Sequence, residues 1–344
     1  MRKKKMLYTK DGYLNISWID KEAERINAAF IVILGTRQIG KTYGTLKLML
    51  DDNRNFILMR RTQTETDFIS NGTLNPFLAL GRTDIKVKKE NQYIGKIQAE
   101  TETGFAPIGV TLSLTCVSKI RGFSGASFTD LVYDEFIPES HINKIRNEGD
   151  AFLNAVVTIS GNREIEGKPP LRCWLLANSN NIGSPILKAL NITDKVESMD
   201  KSGQELSILP ERGIIIVLAK AEELAGKRKK TSLMKAINKE SEFSKMAFDN
   251  EFSYNDAENV TRKDLKQFQL LASVTGVLSI WKSKNNDTLY ISSYRKSNTE
   301  FSNTDRGHKQ LLTAIPFLKV SYTFNVMYFE SLAIKEQFKE IVRL

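Results

Sequence analysis

Cysteine and histidine are scarce in this sequence of 344 residues, which contains two of each. Cys116 and Cys173 stand far apart and form no C-x-x-C pair, and His141 and His308 are equally isolated. Zinc sites and disulfide scaffolds need clustered or paired residues of these types, so neither is expected here. We expect a reducing compartment, with all four residues in ordinary core or surface positions.

Long apolar runs are absent as well. No apolar segment reaches the roughly 20 residues that a membrane-spanning helix requires, so the sequence predicts no membrane partner. Residues 1–5 are strongly basic, but polar residues 8–12 follow where a signal peptide would have its apolar core. A solvated basic tail is the simpler interpretation, and contact with nucleic acid is the alternative.

The composition is that of a soluble globular protein, with 41% hydrophobic and 26% charged residues. The length allows a large core and suggests two domains. Lysine and arginine together number 50 against 40 aspartates and glutamates, which gives a formal charge of +10. This excess favours a polyanionic partner, but many basic proteins bind none, so it serves only as supporting evidence.

The most informative stretch begins with F-I-V-I-L at 30–34, which predicts a strand buried on both faces of a parallel sheet. The pattern G-x-x-x-x-G-K-T follows directly, and a helix is predicted from about 41 to 49. Its glycines permit a loop whose backbone N–H groups wrap a polyphosphate, and the positive end of the helix dipole points at the same phosphates. A glycine turn without a ligand is the alternative, but the order of strand, loop and helix favours nucleotide binding.

This phosphate-binding loop predicts a nucleoside triphosphate with Mg²⁺ as the ligand. We expect Lys41 to reach the β- and γ-phosphates and the Thr42 hydroxyl to ligate Mg²⁺. The predicted nucleotide-binding residues are Gly35, Thr36, Arg37, Gln38, Ile39, Gly40, Lys41 and Thr42.

A second informative stretch is D-L-V-Y-D-E-F at 130–136, a short apolar strand that ends in paired carboxylates. At the carboxyl end of a strand beside a bound triphosphate, Asp134 can hold the Mg²⁺ shell. Glu135 can polarise the attacking water, which requires a carboxylate within hydrogen-bonding reach. A surface Asp-Glu pair is the common alternative, but its combination with the phosphate-binding loop favours an ATPase whose catalytic glutamate follows the magnesium aspartate.

Polar residues also follow two other predicted strands. The strand that begins at Cys173 ends in Asn178, which can hydrogen-bond the γ-phosphate or the water, or else cap the turn. The strand at 56–59 ends in Arg60 and Arg61. For these two arginines, contact with phosphate or DNA and a solvated position are equally open.

The remaining segments suggest how the chain is divided. A β-rich insertion is predicted at 84–115, and a last strand of the first domain at 214–218. After about residue 222 the sequence becomes charged and helix-prone, with the basic run K-R-K-K at 227–230. The predicted domains are a P-loop ATPase domain at 1–222, a helical basic linker at 223–248 and a smaller C-terminal domain at 249–344.

The C-terminal domain should contain strands at 272–281 and 288–293 and a closing helix at 331–343. Two-metal nucleases need carboxylates on facing strands, and neither of these predicted strands contains Asp or Glu. We therefore expect this domain to bind DNA, RNA or a protein partner without cutting DNA.

Taken together, these segments resemble the DNA-packaging ATPase, or encapsidation protein, of small tailed phages with protein-primed linear genomes. The matching stretches are L-G-T-R-Q-I-G-K-T-Y at 34–43, F-I-L-M-R-R at 56–61, V-Y-D-E-F-I at 132–137, N-R-E at 162–164, A-N-S at 177–179 and D-N-E-F at 249–252. They occur in the same order and cover most of the chain. The phosphate-binding loop alone is unspecific, whereas the tyrosine after it and the later motifs are much more specific.

The resemblance implies an α/β fold with two parts. One is an additional-strand P-loop ATPase domain, with a mostly parallel sheet flanked by helices. The other is a C-terminal α+β domain that resembles a degenerate ribonuclease-H-like fold. The resemblance also implies a motor that uses ATP and Mg²⁺, forms a ring, usually a homopentamer, on the portal of an empty capsid, and pumps double-stranded DNA inward. Some members use a phage-encoded structural RNA to hold the ring. Such a protein works in the host cytoplasm, transiently on the portal vertex of the capsid.

Trans-acting basic residues in this family lie in the loop before the acidic pair and in the segment before the asparagine strand. The first position corresponds to Arg121. At the second position Gly161 stands where an arginine is expected, and Arg163 is the nearest candidate. The resemblance thus implies catalytic roles for Glu135, Asn178, Arg121 and Arg163. Two alternatives to the motor are a nucleotide-switched DNA-binding protein that moves nothing and a terminase that also cuts DNA.

Overall fold

The computed structural model describes residues 6–119, 125–138, 145–178, 182–221 and 259–343, together with Leu224, Gly226 and Thr231. The chain divides into two compact units. The N-terminal unit comprises residues 1–190 and 198–254, and the C-terminal unit comprises residues 191–197 and 255–344. The predicted linker at 223–248 lies almost wholly outside the described residues, so the predicted domain boundaries stay a prediction. No described helix is long and apolar enough to cross a membrane.

Strand β1 (Phe30–Gly35) is a central strand of the N-terminal unit. It pairs in parallel with β7 (Arg172–Asn178) on one side and with β9 (Ile214–Ala219) on the other. Residues 31–34 are fully buried, because the strand is covered on both faces. This burial explains why the sequence there is a continuous apolar run rather than an alternating one.

Nine strands form one sheet within the described part of the N-terminal unit, in the order β3-β4-β5-β2-β6-β7-β1-β9-β8. The remaining bounds are β2 (Phe56–Arg60), β3 (Ile85–Lys89), β4 (Ile94–Thr101), β5 (Gly104–Ser113), β6 (Asp130–Asp134) and β8 (Leu206–Leu209). Strand β7 is inserted between β1, which leads into the phosphate-binding loop, and β6, which carries the acidic pair. This is the additional-strand arrangement that the resemblance implies, and it is confirmed.

The parallel pairing sets the functional edge of the sheet. Strands β2, β6, β7 and β1 run in the same direction, so their carboxyl ends lie at one edge. The register aligns Gly35 with Asn178 and Asp134 with Leu176. The polar residues that end these strands are therefore brought together by backbone pairing, as expected for an open parallel sheet.

The predicted β-rich insertion at 84–115 forms strands β3 to β5, which extend the sheet beyond β2. Strand β5 pairs in parallel with β2, whereas β4 runs antiparallel to β5 and β3 antiparallel to β4. The insertion thus continues the main sheet instead of forming a separate one.

Helices cover the sheet of the N-terminal unit. Their bounds are α1 (Ile16–Arg25), α2 (Lys41–Asp51), α3 (Gln63–Ser70), α4 (Glu148–Ser160) and α5 (Pro185–Ala189), while α6 (Thr193–Ser202) spans the division between the units. The predicted helix after the phosphate-binding loop is α2. Helix α1 begins where the Asn15 side chain accepts a hydrogen bond from the backbone N–H of Trp18, which satisfies an otherwise unpaired amide.

The C-terminal unit contains a five-stranded sheet in the order β13-β10-β11-β12-β14 among its described residues. The bounds are β10 (Phe268–Val274), β11 (Leu278–Ser283), β12 (Leu289–Ser293), β13 (Glu300–Phe301) and β14 (Met327–Phe329), with helices α7 (Asp305–Ala314), α8 (Leu318–Thr323) and α9 (Leu332–Val342). Strands β10 to β12 form an antiparallel meander, while β13 and β14 pair in parallel at its two sides.

The prediction of a single strand at 272–281 is wrong. A turn separates β10 from β11 there, and the two strands pair antiparallel as a hairpin. Gly276 adopts a φ of +72°, a conformation that favours glycine and turns the chain. The predicted strand at 288–293 corresponds to β12, and the predicted helix at 331–343 corresponds to α9, which is capped by the Ser331 hydroxyl.

Candidate nucleotide-binding site

The phosphate-binding loop connects β1 to α2 at the functional edge of the sheet. Gly40 has a φ of +88° and lies immediately before the first residue of α2. Few residues other than glycine adopt this left-handed conformation without strain. The second glycine of the motif is therefore required by the backbone path that turns the loop into the helix.

The Lys41 ammonium lies inside the loop. Its Nζ donates hydrogen bonds to the backbone oxygens of Gly35 (3.0 Å) and Thr36 (2.7 Å) and to Oδ1 of Asn178 (3.1 Å). The lysine is buried, so these acceptors replace the water that would otherwise solvate its charge. The amide of Asn178 at the end of β7 is thus in direct contact with the loop lysine, and its predicted contact with the γ-phosphate or the water stays a prediction.

The Thr42 hydroxyl joins the loop to β6. Its Oγ1 donates a hydrogen bond of 2.9 Å to Oδ1 of Asp134. A hydroxyl and a carboxylate side by side supply the hard oxygen ligands that Mg²⁺ prefers, so the donor set fits the ion predicted for these residues. The structure brings the two predicted metal ligands together.

Glu135 and Arg60 form the outer side of the site. Glu135 has a φ of +56° and its side chain is 63% exposed. Backbone strain of this kind in a residue other than glycine is concentrated at functional sites. Arg60, at the end of β2, contacts both carboxylates, with Nη2 3.1 Å from Oδ2 of Asp134 and Nη1 2.7 Å from Oε2 of Glu135. Although burial lowers the pKa of the Arg60 guanidinium, these two carboxylates raise it above its ordinary value.

Neither arginine of the β2 terminus is solvated. Arg61 turns away from the site and forms a bidentate ion pair with Glu148 in the first turn of α4, at 2.7 and 3.0 Å. The side chains of Arg61 and Glu148 are 1% and 3% exposed. Burial and the nearby Glu148 carboxylate raise the pKa of Tyr133 well above its ordinary value. The sequence does not reveal Glu148 as the partner of Arg61, because no local pattern links it to a strand end far upstream.

A cavity of about 250 Å³ opens at this edge. It is lined by Arg37, Gln38, Gly40, Lys41, Thr42, Tyr43, Asp134, Glu135, Ala177 and Asn178. The lining therefore includes most of the predicted loop residues, both carboxylates and the asparagine. Of the other predicted loop residues, Thr36 and Ile39 are buried beneath it.

A comparison with known protein families matches residues 17–309, most of the chain, to the family described as Podovirus DNA encapsidation protein (Gp16). The chain belongs to this encapsidation protein family. A comparison with curated protein sequences found no match.

Two solved structures resemble this encapsidation-family protein over nearly its whole length. The phi-28 gp11 DNA packaging motor is 17% identical with a TM-score of 0.62, covering 94% of this chain and 97% of that one. The structure from the bacteriophage phi-29 viral genome packaging motor assembly is 18% identical with a TM-score of 0.61, covering 98% and 99%. At these identities the likeness shows a shared fold.

The two predicted trans-acting arginines have different outcomes in this encapsidation-family protein. Arg121 lies outside the described residues. Arg163 is buried, and it donates hydrogen bonds to the backbone oxygens of Phe128 (2.6 Å) and Pro169 (2.7 Å) of its own chain. A role for either arginine in a neighbouring active site stays a prediction.

Proposed function

We propose that this protein is an ATP-driven motor that moves double-stranded viral DNA into a preformed capsid. The observation that carries the proposal is the joining of the loop residues Lys41 and Thr42 to Asn178 and Asp134 around one cavity, in a member of the DNA encapsidation family. A triphosphate-binding loop beside paired carboxylates is the arrangement needed for hydrolysis rather than for binding alone.

In this proposal the loop amides and Lys41 hold the β- and γ-phosphates of ATP. The Lys41 ammonium is already positioned by backbone oxygens and needs only to exchange some of these acceptors for phosphate oxygens. Thr42 and Asp134 would hold Mg²⁺, which would supply positive charge to offset that of the phosphates. The helix dipole of α2 adds positive potential at the same place.

Glu135 is the proposed general base. Its carboxylate lines the cavity and is accessible to water, and its backbone has the positive φ that is concentrated at functional sites. Asn178 contacts Lys41 and is close enough to the phosphate end of the site to orient the water or the γ-phosphate. An adjacent aspartate and glutamate therefore take different roles, one as metal ligand and one as base.

The proposed partners are double-stranded DNA, further copies of this chain in a ring, and the capsid portal, where the motor would assemble. The formal charge of +10 suits the DNA backbone. The full-length structures it resembles are described as a DNA packaging motor and as part of a genome packaging motor assembly. A pentameric ring and a structural RNA are further expectations of the family resemblance.

The test compares ATP binding and hydrolysis in matched variants, with and without double-stranded DNA. Lys41→Ala should lose both activities, because the phosphates lose their principal cation. Glu135→Gln should bind ATP normally and hydrolyse it about 10²- to 10⁴-fold more slowly, the usual contribution of a positioned base. Glu164→Gln, which changes an exposed carboxylate in the same unit, is the control. Normal hydrolysis by Glu135→Gln would refute the catalytic assignment, and a rate that DNA does not stimulate would favour a nucleotide switch over a motor.

A further inference from the structure

The residues around the cavity account for a triphosphate, but none of the contacts described so far accounts for the base of the nucleotide. Hydrolysis places the γ-phosphate beside Glu135 and Asn178. The nucleoside then extends away from them, and the lining contributed by the loop and the first turn of α2 includes Gly40 and Tyr43. A flat aromatic base bound there needs groups that can contact its faces.

Tyr43 follows the loop threonine directly and lines the cavity, yet its side chain remains 50% exposed. A second exposed tyrosine lies beside the same loop. Tyr13 is 46% exposed, and a Cβ built on Gly40 would lie 3.6 Å from its Cδ1. The Tyr13 ring therefore lies next to the side of Gly40 where a side chain would be. Tyr43 lines the cavity, and Tyr13 lies beside Gly40, which also lines it. Both half-exposed rings leave apolar faces that a ligand could cover.

The segment that carries Tyr13 is held firmly in place. The backbone N–H groups of Thr9 and Leu14 donate to the oxygens of Tyr13 (2.7 Å) and Ile39 (3.0 Å), and the second bond fastens the segment to the phosphate-binding loop. The residue after Tyr13 is thus bound to the loop through its backbone, which fixes the position of Tyr13 beside Gly40. A preorganised aromatic group loses little freedom when a ligand binds it.

The start of this segment is bound at a second place, through Tyr8. The Tyr8 hydroxyl donates to Glu205 at 2.6 Å and accepts from the backbone N–H groups of Lys220 (3.1 Å) and Ala221 (3.2 Å), just beyond the end of β9. Burial, together with the bond to Glu205, raises the pKa of Tyr8, so this hydroxyl stays protonated as a donor. The segment is therefore fixed to the functional edge of the sheet at two points, the end of β9 and the loop.

We propose that Tyr13 and Tyr43 form the nucleobase subsite, in which the base of the bound nucleoside triphosphate stacks on tyrosine rings. This inference rests on the proposed function, since it concerns the same ATP site. Any nucleobase can stack on an aromatic face, and stacking needs no buried polar group. This agrees with the exposed position of both rings. The phosphates are then bound by α2 and the loop, and the base by the N-terminal segment and the first turn of α2.

The experiment compares a nucleotide with a ligand that has phosphates but no base. Binding of adenosine 5′-(β,γ-imido)triphosphate and of inorganic tripolyphosphate, each with Mg²⁺, is measured by titration calorimetry on the full-length chain. Tyr13→Ala and Tyr43→Ala should lower nucleotide affinity by about 5- to 100-fold, the range of one base–aromatic stack. Both variants should bind tripolyphosphate with wild-type affinity, and Tyr13→Phe and Tyr43→Phe should restore nucleotide binding because they keep the ring. Phe105→Ala, which removes a 39% exposed aromatic from β5, is the control and should change neither affinity.

The outcomes separate this inference from the proposed function. If the alanine variants lose nucleotide and tripolyphosphate affinity equally, the tyrosines support the loop instead of the base, and the subsite is refuted. Unchanged nucleotide affinity in both variants refutes it as well. If the wild-type chain binds neither ligand, the proposed function itself fails, and the subsite fails with it.

Discussion

Removing one partner of the buried Arg61–Glu148 pair should strongly destabilise the N-terminal unit. Both side chains are almost completely buried, and two short hydrogen bonds join them. Arg61→Met leaves the Glu148 carboxylate in the interior without a counter-charge. Breaking a buried ion pair in this way costs about 3–5 kcal/mol, far more than the net contribution of an intact pair, because the remaining charge stays desolvated.

The double variant Arg61→Met with Glu148→Leu separates the cost of an unpaired buried charge from the net contribution of the intact pair to stability. It removes both charges and fills the space with apolar side chains of similar size. Such replacements are often neutral or stabilising, so the double variant should recover most of the stability that the single variant loses. Lys47→Met is the matched control: Lys47 pairs with Asp51 at 2.7 Å on the surface of α2, where both side chains are 54% exposed. Solvent screens that pair, and its loss should leave the unfolding midpoint within error.

Urea unfolding followed by tryptophan fluorescence measures the effect. The sequence contains three tryptophans, of which Trp18 and Trp174 are buried in the N-terminal unit. A Trp281→Phe background removes the signal of the C-terminal unit. Arg61→Met should lower the urea midpoint by roughly 1–2 M, given the slopes typical of domains of this size. A shift no larger than that of the control would refute the argument from burial, and so would a double variant as unstable as the single one.

Two further predictions concern DNA and the ring. The affinity for double-stranded DNA should depend little on base sequence and should fall steeply with added salt, because each neutralised phosphate releases counterions. An electrophoretic or fluorescence assay measures this affinity. Equal affinity at low and moderate salt would contradict a motor that binds along the phosphate backbone. Mixing Arg121→Ala subunits with Lys41→Ala subunits should restore ATPase activity, because some mixed interfaces pair an intact phosphate-binding loop with an intact arginine. An arginine supplied in trans increases the rate by about 10³- to 10⁵-fold. The same mixing with Arg163→Ala tests the second predicted trans role, which requires Arg163 to leave the backbone oxygens that it binds within its own chain. An absence of recovery there would refute that role.

The central strands and the site on them were predictable from the sequence. Strands β1, β6 and β7 are buried on both faces, so they leave continuous apolar runs that stand out from their surroundings. Each run leads to a polar residue that the sequence places in the predicted site, and the structure brings these residues together: Lys41 shortly after the first run, Asp134 at the end of the second and Asn178 at the end of the third. Parallel pairing then brings these residues together, because it places the carboxyl ends of the strands at a common edge however far apart they are along the chain.

The partners of the β2 arginines were not predictable in the same way. Arg60 and Arg61 are adjacent in sequence, but successive residues of an extended chain point in opposite directions. One therefore reaches Asp134 and Glu135, and the other reaches Glu148. Which of two neighbouring arginines takes which direction depends on the register of β2 against β6 and on the position of α4. Local sequence contains neither of these. It left phosphate contact and solvation equally open for both arginines, whereas the structure shows both of them paired with carboxylates of the same chain.

Lys41, Asp134 and Glu135 already have partners within the chain, and this limits what can bind at the site. Lys41 is satisfied by backbone oxygens and Asn178, Asp134 by Thr42 and Arg60, and Glu135 by Arg60. Buried polar groups that already have partners gain nothing from a weak ligand, since every new contact replaces an existing one. A ligand must therefore offer better partners than the chain does. The charged oxygens of a triphosphate would do so for the lysine, and a divalent cation would do so for the aspartate, so we expect the proposed site to bind the two together more tightly than either alone.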